Sequence, residues 1–139
     1  MPFFEDLDLG DEIGPLEIEA SDAQVATFCG IWDRETPSRF TDPEMAKKTG
    51  LPGPIVPGIM SMAFLSQLIT DWAPNVSLKK LDVIFRAPVK HKEPINCRGL
   101  VTDKEVRDGE QCVECDLYIE TQQGLRAVTG KAIVMISSH

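Results

Sequence analysis

GIMSMAFLSQLITDW, residues 58–72, is the most apolar stretch of the chain that is long enough for a helix. Met62, Leu65, Ile69 and Trp72 recur along one stripe, and Met60, Phe64 and Leu68 widen it. Polar positions are so few that the spacing predicts a helix buried on most of its surface. Its methionines then read as packing side chains, since flexible thioethers fill irregular gaps in a core. A charged face suited to a membrane surface is missing from the segment.

Downstream of Pro74 the apolar period falls to two. LKKLDVIFRAPV (78–89), INCRGLVTDKEV (95–106), QCVECDLYIE (111–120) and RAVTGKAIVMIS (126–137) read as four strands. RDG at 107–109 and TQQG at 121–124 are hairpin turns. PLEIEA (15–20) adds a short early strand. The expected order is therefore one strand, helices, and a meander of four antiparallel strands. An apolar helix with no other partner must pack on that sheet. The fold class is α+β: an antiparallel β-sheet wrapped around a long buried central helix.

Two shorter helices fill the interval. Ser21 N-caps DAQVATFCGIW, with Asp22 at the positive end of the helix dipole. In TDPEMAKKTG, Thr41 or Asp42 is the cap, Pro43 suits the first turn and Gly50 ends the helix. LPGPIVPG, at 51–58, holds three prolines and two glycines and must be a loop.

Bulk properties narrow the function classes. The 139 residues suit one domain, expected to run over 1–139. The formal charge of −8 and a pI near 4.7 argue against nucleic acid or an anionic membrane as partner. The start of the chain has no basic-then-apolar pattern of a signal peptide, and no apolar run reaches the roughly 18 residues a spanning helix needs. Cys112 and Cys115 form a CxxC, but on a strand two such residues point to opposite faces, which suits neither a disulfide nor a shared metal. Reduced thiols, a cytoplasmic compartment, and neither metal nor cofactor are expected.

Taken in order, FFEDLDLGDEIG, SDAQVATFCGIWD, TPSRFTDPEMAKKTGLPGPIVPGIM, LDVIFRAPVKHKEPINCRGLVTDK and GKAIVMI resemble the MaoC-like (R)-specific enoyl-CoA hydratase/dehydratase family over nearly the whole chain. The resemblance implies a hotdog fold, an acyl-CoA or acyl-carrier-protein thioester as ligand, and a homodimer or a heterodimer with another hotdog subunit. In active members an Asp opens a segment that runs through Asn-Pro to a His and then to an Asp, and a later His-Gly opens the central helix. Here Asp33, Pro37 and Asp42 match, while Thr36 replaces the Asn in a segment one residue longer. Phe40 takes the place of the catalytic His, or Arg39 does if the gap is moved. Pro57 stands where the second His belongs, and Gly58 keeps the glycine.

What these positions do gives the losses their weight. Hydration of an enoyl thioester needs a base for water and a proton for the α-carbon, and an Asp/His pair supplies both in the family. The carbonyl is polarised by a backbone N–H at the helix start, which Gly58 retains. The resemblance thus makes Asp33 and Gly58 the catalytic candidates, with Thr36, Arg39, Phe40, Pro57, Ile59 and Met62 around the substrate. Neither Phe nor Arg replaces an imidazole. Asp33 and Glu35 form either a coupled carboxylate pair or solvated ion pairs with Arg34 and Arg39. His91, in the turn VKHKEP, reads as a solvated turn residue. Lys79, Lys80, Arg86, Lys90 and Lys92 are either CoA-phosphate contacts or ordinary strand-end charges. Met62, Phe64 and the 52–57 loop are expected to set acyl length. Two readings stand: a hydratase with a rearranged site, or a non-catalytic acyl-binding or stabilising subunit of a hetero-oligomeric hydratase.

Overall fold

The computed structural model describes residues 2–32 and 38–138. A 3-10 turn at Phe4–Asp6 leads to β1 (Glu12–Ile18), α1 (Asp22–Trp32), α2 (Pro43–Lys48), α3 (Gly58–Trp72), β2 (Val76–Phe85), β3 (Ile95–Arg107), β4 (Glu110–Glu120) and β5 (Arg126–Ile136). The strands form one antiparallel sheet in the order β1-β3-β4-β5-β2.

That order corrects the expected four-strand meander. Only β3, β4 and β5 follow one another as hairpins; β2 lies at the far edge, paired with β5. A hairpin link is typically two to five residues, whereas residues 86–94, with Pro88 and Pro94, carry the chain away from β2. β1 takes the free edge of β3 instead. Strand limits differ too: β1 begins at Glu12, and β2 stops at Phe85 instead of running to Val89. Both Arg86 N and Ala87 N donate to the Ala127 carbonyl (2.8 and 3.1 Å), so the ladder ends in a bend, and Pro88 has no N–H to extend it. The β3–β4 turn has Asp108 at φ 50° and Gly109 at φ 78°, the left-handed pair that a two-residue type I′ hairpin requires.

α3 crosses the concave face of the sheet and packs against β1, β2, β3 and β4. Its buried stripe is Met60, Ser61, Leu65, Leu68 and Ile69, with Phe64 and Trp72 partly buried beside it. Met62, expected in the stripe, is only half-buried. Leu65, Leu68 and Ile69 are at most 1% exposed; each contributes roughly 1.5–3 kcal/mol of burial. Opposite them lie Val113, Cys115, Leu117 and Ile119 of β4, alternate residues on the core face. Cys112 has the other parity; all four cysteines are buried and none forms a disulfide. Burial pushes the Cys97 and Cys115 thiols up to about 12, which keeps them protonated and unreactive. Among the described residues no helix is long and apolar enough to cross a membrane.

Candidate functional site at the start of the central helix

Local hydrogen bonding fixes the two walls that meet at the start of α3. On one side, Thr41 N and Asp42 N both donate to the Ser38 carbonyl (3.1 and 2.8 Å). Ser38 N donates to Thr41 Oγ1 and Phe40 N to Ser38 Oγ. This tight turn drives Phe40 inward to 6% exposure, its ring 5.8 Å from that of Trp32, with the Arg39 guanidinium 4.5 Å above it. Asp42, not Thr41, caps α2, accepting from Glu44 N at 2.8 Å. On the other side, Val56 N donates to the Val89 carbonyl (2.7 Å), Ile55 bridges Lys90, and Ile55 N donates to the Arg39 carbonyl. The 51–57 loop is thereby tied to both neighbours.

Pro57 N-caps α3 with no side-chain hydrogen bond, and its carbonyl accepts from Met60 N and Ser61 N. The N–H groups of Gly58 and Ile59 meet no acceptor among the described residues, leaving two donors at the positive end of the helix dipole. Gly58 and Ile59 line a cleft of about 470 Å³. Its walls are Trp32, Arg39, Phe40, Ile55, Val56, Gly58, Ile59, Ser61 and the segment from Phe85 to Val89, with Val128 at the back. A largely apolar hollow with a few fixed polar groups is the usual form of a small-molecule site.

Of the sequence candidates, Arg39, Phe40, Gly58 and Ile59 come together in this cleft. Pro57 is buried behind them as the helix cap. Met62 does not line the cleft. Asp33 and Thr36, with Glu35, lie outside the described residues. Several wall residues had no place among the sequence candidates for the acyl site, Ser61, Trp32 and Phe85 among them. Ser61, 1% exposed, is the one fully buried polar residue among those described; its position one turn from Gly58 on an otherwise apolar stripe was a usable signal. Trp32 closes α1 against Phe40. Phe85 arrives through strand register, which no sequence period reveals.

The cationic group divides. Arg86 lines the cleft and donates from Nε to Thr129 Oγ1 at 3.1 Å. Lys90 and Lys92 border a separate hollow of about 410 Å³ with Asp22, His91 and Pro52–Pro54. Lys80 pairs with Asp82 on the outer side of β2.

His91 is not a solvated turn residue. Its side chain is 6% exposed, with Nδ1 2.9 Å from Asp22 Oδ1 and Nε2 3.2 Å from the Ile55 carbonyl. Lys92, at φ 58°, turns the chain so that its N–H reaches the Ala20 carbonyl, and this folds the ring under the start of α1. The Asp22 carboxyl is held below its ordinary value, first by its hydrogen bond to His91 and then by that to Lys92. Among the described residues no three His, Cys, Asp or Glu converge to hold a metal.

Comparison with known proteins agrees with this architecture. An (R)-hydratase from A. caviae involved in PHA biosynthesis is 25% identical, with TM-score 0.83 over 95% of this chain and 98% of that one. A MaoC-like dehydratase from Rhodospirillum rubrum is 18% identical, with TM-score 0.89 over 100% and 99%. The HadBC (3R-hydroxyacyl-ACP dehydratase) complex from Mycobacterium tuberculosis is 16% identical, with TM-score 0.78 over 93% and 98%. At such identities the last two speak for the hotdog fold alone. No curated protein matches the chain. The family model described as "MaoC like domain" matches residues 40–123, more than half of the sequence, from Phe40 through the whole of α3 and β4: the chain belongs to the MaoC-like domain family.

Proposed function

We propose that the chain, as one hotdog unit over residues 1–139, binds acyl thioesters in the cleft at the start of α3 and serves as a subunit of a hydratase or dehydratase that lacks the motif histidines. The observation that carries this is the composition of the cleft. Two free N–H groups at the helix start suit a thioester carbonyl, and apolar walls suit an acyl chain. Yet the described wall residues include no carboxylate and no imidazole; their polar members are Arg39, Arg86 and Ser61. An arginine stays protonated and a serine hydroxyl needs a base beside it, so neither draws a proton from water. The donors that would polarise the carbonyl are present, while the described wall residues include no group to move the proton. HadBC, which has a chain of this fold, is by its name a 3R-hydroxyacyl-ACP dehydratase complex, and the subunit reading gives the present chain a place in an assembly of that kind. Coenzyme A and an acyl carrier protein both present the thioester such a cleft accepts.

A rearranged hydratase is the second reading, and one observation favours it. Trp32 ends α1 inside the cleft wall, so the next residue in the chain is Asp33, the acid the family pattern requires.

The test measures binding of butyryl- and octanoyl-CoA by calorimetry and hydration of the matching trans-2-enoyl-CoA thioesters, with the chain alone. Binding without turnover is the expected result. Turnover that disappears in Asp33→Asn would replace it with the enzyme reading, and absence of binding would remove both.

A further inference from the structure

The three atoms nearest to a Cβ at Gly58 would all belong to one side chain, Phe85. A Cβ built there would lie 2.9, 3.0 and 3.2 Å from Cζ, Cε1 and Cε2 of Phe85. The far edge of the ring therefore rests on the Cα of the residue that opens α3. Phe85 is the last residue of β2 and keeps 51% of its surface exposed. Its backbone is pinned from both sides: Phe85 pairs with Val128 in the ladder, and Arg86 N and Ala87 N both donate to the Ala127 carbonyl. The ring is thus a wall with a fixed root, placed beside the two free N–H donors.

We infer that Phe85 selects among acyl groups by excluding substitution at the carbon next to the thioester carbonyl. This rests on the thioester reading above. A carbonyl oxygen that accepts from the helix-start donors brings its acyl carbon 2 against the space beside Gly58, and the Phe85 ring already fills that space. A straight chain passes along the ring face. A methyl branch at carbon 2 needs the volume of the ring edge. A single added methyl is felt where the neighbour must move to admit it, and the pinned backbone of Phe85 leaves only rotation of its side chain to make room.

The experiment compares dissociation constants for butyryl-CoA and 2-methylbutyryl-CoA with the wild type, Phe85→Ala and Phe85→Tyr. A half-exposed side chain can be truncated without loss of the core, and urea melts confirm that each variant is folded. The wild type should favour the straight chain at least about tenfold, which is about 1.4 kcal/mol. Phe85→Ala should bring the ratio close to one by improving the branched ligand, while Phe85→Tyr, which keeps the ring, should preserve the preference. Equal affinities in the wild type, or a preference unmoved by Phe85→Ala, would overturn the inference while leaving thioester binding in place. Failure of every variant to bind either ligand would overturn the thioester reading and this inference with it.

Discussion

Replacing His91 by alanine tests whether the loop in front of α3 is held from below. The ring is 6% exposed and spans from Asp22 at the start of α1 to the Ile55 carbonyl. Truncation leaves Asp22 in solvent, still 3.1 Å from Lys92 Nζ, so that end contributes little. The Ile55 carbonyl is part-buried and loses its donor, which together with the emptied ring volume costs about 2 kcal/mol. At a urea dependence of about 2 kcal/mol per molar, the midpoint should fall by about 1 M. His91→Gln, whose amide can reach one of the two acceptors, should fall between. The local signature is hydrogen exchange at Val56, whose N–H donates to the Val89 carbonyl at 2.7 Å; its protection should drop more than that of the sheet centre. A midpoint within about 0.2 M of wild type, inside the error of such extrapolations, with unchanged Val56 exchange, would show that the ring is only a solvated turn side chain and the geometric reasoning is wrong.

Gly99→Ala should destabilise by about 3 kcal/mol in urea melts, because a Cβ there meets Leu117 Cδ2 at 2.5 Å and the Asp116 carbonyl at 2.9 Å, and ladder backbone does not yield. Asp42→Ala should cost about 1 kcal/mol through loss of the α2 cap, read from the same melts. For Asp22, the lowered folded value means that its contribution is present above the ordinary carboxyl value of 3.8 and is lost as pH falls through the folded one. Thermal melts from about pH 5 down to about pH 2 should therefore show a shallower acid decline in Asp22→Asn than in wild type; parallel curves would contradict the pairing with His91 and Lys92.

The elements were legible because each rests on a local signal. The bounds of α3 follow from Gly58 and the apolar period, the cap of α2 from Asp42-Pro43, and the tight turn from Asp108-Gly109. Two things lie beyond local signals. The place of β2 depends on which edge of a three-stranded hairpin set stays open, and β1 settles that by pairing with β3. His91 looked solvated since its neighbours are Lys90, Lys92 and Glu93; its burial comes from Asp22 and Ile55, 69 and 36 positions away. At the site, the identity of Gly58 could be read, but not the side chain that crowds it. Side-chain freedom at 58 is removed by Phe85, a residue whose approach depends on β2 lying at the far edge. The misplaced strand and the overlooked wall are thus one error, since a meander would have carried Phe85 elsewhere.

The charge distribution sharpens the choice between the two functional readings. A chain at −8 repels the phosphates of coenzyme A and the acidic surface of any protein alike, so a ligand of that kind must be met by local cations. Arg86 and Arg39 are such groups, and both stand on the cleft wall. On the proposed reading their placement suits binding, while a base working by the family route gains nothing from them. A cation beside the reacting carbon favours the charged form of a nearby carboxylate and so keeps it a weak base. An Asp33 working alone would need its proton affinity raised, which calls for burial or a second acid, not arginines. On the proposed reading, the described part of the cleft suits an anionic thioester ligand better than it suits the activation of water, and calorimetry beside the hydration assay, each with wild type and Asp33→Asn, separates those two capacities.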